Sequence, residues 1–114
     1  MYDVPVLILI YNRPKFTKKL IMALKIIKPK KIYISCDGPK KNREDIEKNK
    51  KTKDCLNLID WKCDIKKNFF IENKGCKEGI SNGINWFFNF EREGIILEDD
   101  CIPTRYFFHF CKKM

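Results

Sequence analysis

Three short apolar runs constrain the fold of this chain more than any other feature of its sequence. Residues 4–11 are continuously apolar and rich in β-branched side chains, with no alternation between apolar and polar positions. Such a run predicts a strand buried on both faces, as in a parallel sheet, rather than an edge strand. Lys31–Cys36 and the run opened by Gly94 predict two more strands, and residues 68–72 predict a shorter one.

The segments between these strands predict helices. Residues 15–27 and 77–90 each have apolar residues at helical spacing, with polar side chains on the opposite face. The predicted core faces comprise Phe16, Leu20, Met22, Ala23, Ile26 and Ile27 in the first helix and Ile80, Ile84, Phe87 and Phe88 in the second. Gly79 and Gly83 stand four residues apart, where they allow the backbone to approach a neighbour or a ligand closely.

Two further segments complete the pattern. Residues 40–53 are nearly all charged or amide-bearing, and they predict either a solvated helix continuing through Leu56 and Ile59 or a mobile loop. The aromatic tail, 103–112, predicts a last helix that starts near its proline. Strands alternating with helices predict an α/β fold, with a mostly parallel open sheet, Rossmann-like, and helices on both faces. At 114 residues the chain is one domain or part of one.

The net charge and the cysteines indicate which partners the chain can bind and in which compartment it is located. The formal net charge of +9 attracts anionic partners, including nucleotides and membrane surfaces. Six cysteines form no C-x-x-C pair, and the single histidine, His109, has no partner at zinc-ligand spacing, which indicates buried free thiols in a reducing cytosol. The run 4–11 is too short for a membrane span. We therefore expect a cytoplasmic protein that can associate peripherally with the inner face of the membrane.

Polar residues follow every predicted strand at its carboxyl end. They are Asn12 and Arg13 after the first strand, Asp37 after the second, Asn73 and Lys77 after the third, and Glu98, Asp99 and Asp100 after the fourth. In an open α/β sheet ligands bind in the crevice outside these strand ends. The sequence therefore predicts one cleft that holds an arginine, a lysine, a separate aspartate and a carboxylate cluster.

The carboxylate cluster predicts a metal site. Three adjacent negative charges, at Glu98, Asp99 and Asp100, repel one another and need a compensating cation in a folded site. Hard oxygen ligands suit Mn²⁺ or Mg²⁺, which can also grip substrate phosphates, and Arg13 and Lys77 can neutralise those phosphates. The alternative is a plain acidic turn after a strand.

These residues resemble the nucleotide-sugar-binding half of GT-A glycosyltransferases, of the family 2-like and N-acetylglucosaminyltransferase I-like groups. The similarity lies in Leu-Ile-Tyr-Asn-Arg-Pro at 9–14, Ile-Ser-Cys-Asp-Gly at 34–38, and Ile-Leu-Glu-Asp-Asp at 96–100, which is like the Glu-Asp-Asp form of the D-x-D motif. A weaker match is Asn73-x-Gly75 with Gly83 behind it, where Ser81 replaces a second asparagine. The resemblance covers almost the whole chain.

The resemblance implies a role for each matched residue. Asp100 would be the direct ligand of Mn²⁺ (or Mg²⁺), and Glu98 and Asp99 would contact the ribose or the water shell of the metal. Asp37 and Arg13 would hold the uracil base and the diphosphate. Lys77 stands where the group has a polar residue of the donor site. The implied ligand is a nucleotide-diphospho-sugar, a UDP-sugar, and the implied reaction is sugar transfer to a saccharide, lipid or protein acceptor.

The same resemblance limits what residues 1–114 can do. GT-A enzymes place the acceptor site after the metal motif, and inverting members place the catalytic base there too, but no carboxylate follows Asp100 in this sequence. We therefore expect a donor-binding part of a transferase domain without its acceptor-binding part, which binds the donor and makes no glycoside. A non-catalytic nucleotide-sugar-binding remnant is the alternative, followed by a basic nucleic-acid-binding domain that uses the lysines of 40–53. No aromatics interleave with those lysines, so we expect no nucleic-acid partner.

Overall fold

The fold is α/β, with a four-stranded, all-parallel sheet at its centre. The structure is a computed structural model that describes residues 3–99 and the backbone of 111–112. In chain order its elements are β1 (Val6–Ile10), α1 (Pro14–Ile27), β2 (Lys31–Cys36), α2 (Arg43–Asp54), a 3₁₀ turn (Cys55–Leu58), β3 (Asp64–Phe69), α3 (Cys76–Phe88), β4 (Glu93–Glu98) and β5 (Cys111–Lys112). The strand order is β3-β2-β1-β4, and β5 adds an antiparallel pair at the β4 edge. The predicted Rossmann-like class is therefore confirmed.

Strand β1 is buried on both sides because it lies between β2 and β4. Val6 pairs with Ile32 on one side and with Ile95 on the other. Its even-numbered side chains pack with Leu20, Ile21 and Leu24 of α1, whereas Leu7 and Leu9 pack with Phe87 of α3. Helices therefore cover both faces of the sheet, and the continuous apolar run of β1 has the physical reason that we expected.

Two predictions about elements are wrong. The third strand is Asp64–Phe69 and not 68–72, because as an edge strand it needs no apolar run and exposes most of its side chains. The apolar Ile71, which suggested the later strand, is 93% exposed in the following loop. Cys111 and Lys112 form β5 instead of a helix, and the rest of the predicted tail helix lies outside the described residues.

The predicted core face of α1 is also wrong in part. The buried residues of α1 are Thr17, Leu20, Ile21 and Leu24. Phe16, Met22 and Ile26, which we assigned to the core, are 41%, 45% and 83% exposed. Apolar residues occur on nearly every side of this helix, so their spacing alone does not single out the side that faces the sheet. None of the helices in the described part of the chain is both long and apolar enough to cross a membrane.

We expect Thr17→Val to stabilise the fold by about 1 kcal/mol, because it removes a buried polar atom without a partner. Thr17 is fully buried, and its hydroxyl makes no hydrogen bond within the described part of the chain. Urea unfolding followed by circular dichroism measures the change. Thr17→Ser is the matched control, since it keeps the hydroxyl and loses the methyl group, and it should destabilise. If valine destabilised the protein as much as serine, the hydroxyl would have a partner.

Candidate functional site

A cleft of about 500 Å³ opens at the carboxyl ends of the parallel strands. From β1 the chain runs outward through β2 to β3, and it then returns to place β4 on the other side of β1. The strand order therefore reverses between β1 and β4, and this is the point where open α/β sheets bind their ligands. Residues that follow β1, β2 and β4 line the cleft together with the first turn of α3.

The end of β4 supplies two acidic side chains to the cleft. Glu98 pairs in register with Leu9, and the backbone N–H of Asp99 donates to the Leu9 carbonyl at 3.1 Å. This last ladder bond holds both carboxylates, which are half-buried, beside the end of β1. Asp100, the predicted direct metal ligand, lies outside the described residues.

The cations of the cleft are not all those that we predicted. Arg13 lines the cleft from the N-cap position of α1, as expected. Lys40 also lines it, whereas Lys77 is exposed in the first turn of α3 and lies outside the set of lining residues. The structure thus brings Arg13, Asp37, Glu98 and Asp99 together and leaves Lys77 aside. In the sequence, the signal that could have identified Lys40 as a cleft residue is its position directly after the Asp-Gly-Pro turn.

Asp37 fixes the loop that leads from β3 into α3. Its Oδ1 accepts hydrogen bonds from the backbone N–H groups of Gly38 and Lys74, both at 2.8 Å. The amide of Asn73 donates to Asp37 Oδ2 at 3.3 Å and to the Gly38 carbonyl at 2.9 Å. The carboxylate is thus held in place at the cleft wall, where a ligand would find it already oriented.

Gly75 and Gly79 let α3 begin against this wall. Gly75 adopts φ +88° and ψ 157°, a conformation that is essentially restricted to glycine. A Cβ on Gly79 would lie 3.2 Å from Asp37 Oδ2, so the helix touches the aspartate. The close approach predicted for the helix glycines is confirmed, since a Cβ on Gly83 would meet Ser35 Oγ at 2.7 Å.

Beneath the cleft lies a polar network centred on Asp45, which sequence reasoning missed. Asp45 is 7% exposed, and its carboxylate accepts hydrogen bonds from the Tyr11 hydroxyl, the Asn12 amide at 2.8 Å and the Lys40 backbone N–H at 2.6 Å. All three donors belong to residues that line the cleft. We had placed Asp45 in a solvated segment, and that interpretation is wrong, because α2 docks through this side chain.

Asn49 extends the network by one helical turn. Its amide donates to the carbonyls of Tyr11 at 2.7 Å and Asp37 at 2.9 Å, so it joins the ends of β1 and β2. With Asp45 and Thr52 it forms a buried stripe at positions i, i+4 and i+7 of α2. A polar stripe at helical spacing, in a helix whose one apolar residue, Ile46, is 49% exposed, was the signal that could have revealed this contact.

The network changes the acidity of its members. Burial alone raises the pKa of Asp45, but hydrogen bonds from Tyr11, Lys40 and Asn12 outweigh burial and hold this pKa below its usual value. Burial and the neighbouring carboxylate raise the pKa of Tyr11 to about 12. Asp45 is therefore an anion at neutral pH, and the Tyr11 hydroxyl is a permanent donor to it.

The four described thiols are free, but only one of them is buried as predicted. Cys36 is buried, whereas Cys55 and Cys63 are half-buried and Cys76 is exposed. Burial raises the pKa of the Cys36 thiol to about 11, so this group is inert beneath the cleft. Cys76 differs from it, because it is exposed and lines the cleft at the start of α3.

The donor set at the end of β4 suits a hard divalent cation. Glu98 and Asp99 offer carboxylate oxygens at the cleft surface, the ligand type that Mn²⁺ and Mg²⁺ take. The described residues contain no group of three histidine, cysteine or acidic side chains that could hold a metal by themselves. A cation held by Glu98 and Asp99 would need further oxygen ligands.

Comparisons with protein-family models, with curated proteins and with solved structures found no match for this chain.

Proposed function

We propose that this cleft binds a nucleotide-diphospho-sugar, with UDP as the nucleotide, and that the chain is the donor-binding part of a glycosyltransferase. One observation carries the proposal. The cleft at the strand-order reversal combines cations, Arg13 and Lys40, with the carboxylates of Glu98 and Asp99. A diphosphate needs the cations, and the metal ion that accompanies a diphosphate needs the carboxylates.

Each lining residue then has a task. Arg13 and Lys40 attract the phosphate oxygens, and the guanidinium of Arg13 can hold them through two parallel hydrogen bonds. Asp37, already fixed by Gly38 and Lys74, accepts a hydrogen bond from the N–H of the base. Glu98 and Asp99, with Asp100, would hold the cation and orient the ribose. A bound Mn²⁺ or Mg²⁺ would supply Lewis-acid stabilisation to the leaving diphosphate.

We expect calorimetric titration of the chain with UDP to show binding in Mn²⁺, and binding at least about tenfold weaker in excess chelator. The double variant Glu98→Gln/Asp99→Asn keeps the size of both side chains and removes both charges, so it should lose the metal dependence. Asp54→Asn, at an exposed position at the end of α2, is the control and should bind as the unaltered chain does. Equal affinity with Mn²⁺ and with chelator would contradict the role of the metal.

Cys76 gives the same experiment a second readout that locates the ligand. Its exposed thiol lines the cleft, so bound UDP should slow its labelling by a maleimide, as measured by peptide mass spectrometry. Cys63, half-buried directly before β3, should label at an unchanged rate. Binding without protection of Cys76 would place UDP outside this cleft.

A further inference from the structure

The exposed side of α1 combines lysines with large apolar side chains. Lys15, Lys18, Lys19, Met22 and Ile26 are exposed and follow the spacing i, i+3, i+4, i+7 and i+11, which defines a single face of a helix. Phe16 borders this face, and Lys19 Nζ lies 6.0 Å from the centre of its ring. We call these six residues the α1 outer face.

This face is separate from the contacts that hold α1 in the fold. The opposite side of the helix, with Leu20, Ile21 and Leu24, fills the core against the sheet. The flank of α1 packs on the 3₁₀ turn and α2, and Lys25 forms an ion pair with Asp60 at 2.8 Å there. The fold therefore uses the inner side and one flank, and the outer face projects into solvent, with Ile26 83% exposed.

The charge of the outer face has one sign. The sequence of α1 contains four lysines and no acidic residue, and Lys25 is the lysine neutralised by Asp60. The remaining three lie on the outer face, in a chain whose formal net charge is +9. A surface that carries only cations attracts an anionic partner, and its exposed methyl and methylene groups favour a partner that can also bury them.

We propose that the α1 outer face docks this protein on an anionic lipid bilayer. A helix with lysines beside a bulky apolar stripe lies in the plane of the interface, with the apolar side chains inserted below the headgroups and the ammonium groups beside the phosphates. A nucleic acid would use the lysines, but it would leave Met22 and Ile26 in water, so lipid fits both halves of the surface. Because α1 starts directly after Arg13, docking holds one end of the candidate cleft at headgroup level.

Vesicle sedimentation tests the proposal with the whole chain. We expect binding to vesicles that contain phosphatidylserine and phosphatidylcholine, and at least about tenfold weaker binding to pure phosphatidylcholine. Raising the salt concentration should weaken binding to the anionic vesicles. The triple variant Lys15→Glu/Lys18→Glu/Lys19→Glu should lower the partition coefficient by about a hundredfold.

Matched variants separate the α1 outer face from the general charge of the protein. Lys41→Glu/Lys50→Glu/Lys51→Glu changes the net charge by the same amount at exposed positions of the α2 region, and its partition coefficient should stay within about threefold. Met22→Glu/Ile26→Glu should lose binding at least about tenfold, whereas Ile71→Glu, at an exposed loop position, should retain it.

Three results would overturn the proposal. The first is equal binding to anionic and to neutral vesicles. The second is an equal loss in the α1 and α2 triple variants, which would indicate attraction by net charge alone. The third is a dimer in light scattering that Met22→Glu/Ile26→Glu dissociates, since a second copy of the chain would then cover the face. UDP titration of the same variants is independent of these outcomes, because none of the substituted residues lines the cleft.

Discussion

Asp45→Ala is expected to lower the free energy of unfolding by about 3 kcal/mol and to weaken UDP binding, although this side chain does not line the cleft. The substitution removes the common acceptor of Tyr11, Asn12 and the Lys40 backbone. Each donor would then lack its partner at a nearly dry position, and charge-assisted hydrogen bonds are the stronger kind. Since all three donors belong to cleft residues, the cleft wall should loosen together with the fold.

Two variants separate position from charge in this experiment. Asp45→Asn keeps the size of the side chain and can accept some of the same bonds, so we expect roughly half of the destabilisation. Asp54→Ala removes an exposed carboxylate from the same helix and should change the stability by less than about 0.5 kcal/mol. Urea unfolding measures all three. Equal stability of Asp45→Ala and the unaltered protein would show that Asp45 does not hold α2 against the cleft.

The lowered pKa of Asp45 adds a pH signature to the same comparison. Hydrogen bonds hold its pKa in the folded protein below the usual value, which is about 3.9 in an unfolded chain. The ionised carboxylate therefore stabilises the fold fully above about pH 5, and this contribution is lost as the pH falls below about 4. The stability gap between the unaltered protein and Asp45→Asn should narrow as urea unfolding is repeated from pH 7 down to pH 3.

Phe87→Ala should destabilise the protein by about 3–5 kcal/mol, the largest loss that we expect from a single apolar truncation here. Phe87 is fully buried, and its ring stands edge-on to Tyr33 at a centroid distance of 4.8 Å. It also packs so closely on β4 that a Cβ on Gly94 would lie 2.3 Å from its Cζ. Truncation would leave a cavity between α3 and the sheet, bounded by backbone that cannot move inward freely.

Phe90 offers a matched control for this truncation. It also contacts the Tyr33 ring, at a centroid distance of 6.0 Å, but it is 51% exposed. Phe90→Ala should therefore cost less than about 1.5 kcal/mol, because water already reaches much of its ring. Chemical denaturation of both variants gives the comparison. Similar losses of stability in the two variants would mean that the whole cluster of aromatic rings around Tyr33, and not Phe87 alone, holds α3 on the sheet.

The sequence predicted the centre of the sheet well because burial on both faces leaves a distinct signal. Strand β1 is apolar throughout, and β2 and β4 each contain three consecutive apolar residues, which a sheet covered on both sides can bury. Strand β3 left no such signal, because an edge strand with lysines at 66 and 67 is mostly exposed. The apolar residues at the end of β3 and directly after it, up to Ile71, led us to predict the strand too late in the sequence.

Residues of the candidate site were predictable where the position of the backbone alone places them in the cleft. Arg13, Asp37, Glu98 and Asp99 follow directly from strands, so a correct strand prediction places them at one edge of the sheet. Asp45 and Asn49 reach the site from a helix that docks through polar groups, and hydrophobic periodicity cannot reveal such a contact. Lys77 was misplaced because the direction of a side chain in a first helical turn depends on where that turn starts.

The position of β1 between β2 and β4 has a consequence for how the protein reaches its native state. One edge of β1 can pair as soon as β2 has been synthesised. Its other edge stays unpaired until Ile95 and the rest of β4 have been synthesised. At about 5–20 residues per second, a ribosome leaves that edge open for several seconds. During this interval the strand Val-Leu-Ile-Leu-Ile is an unpaired template for other nascent chains. Yield in cells should therefore depend on chaperones that shield this strand until β4 has been synthesised.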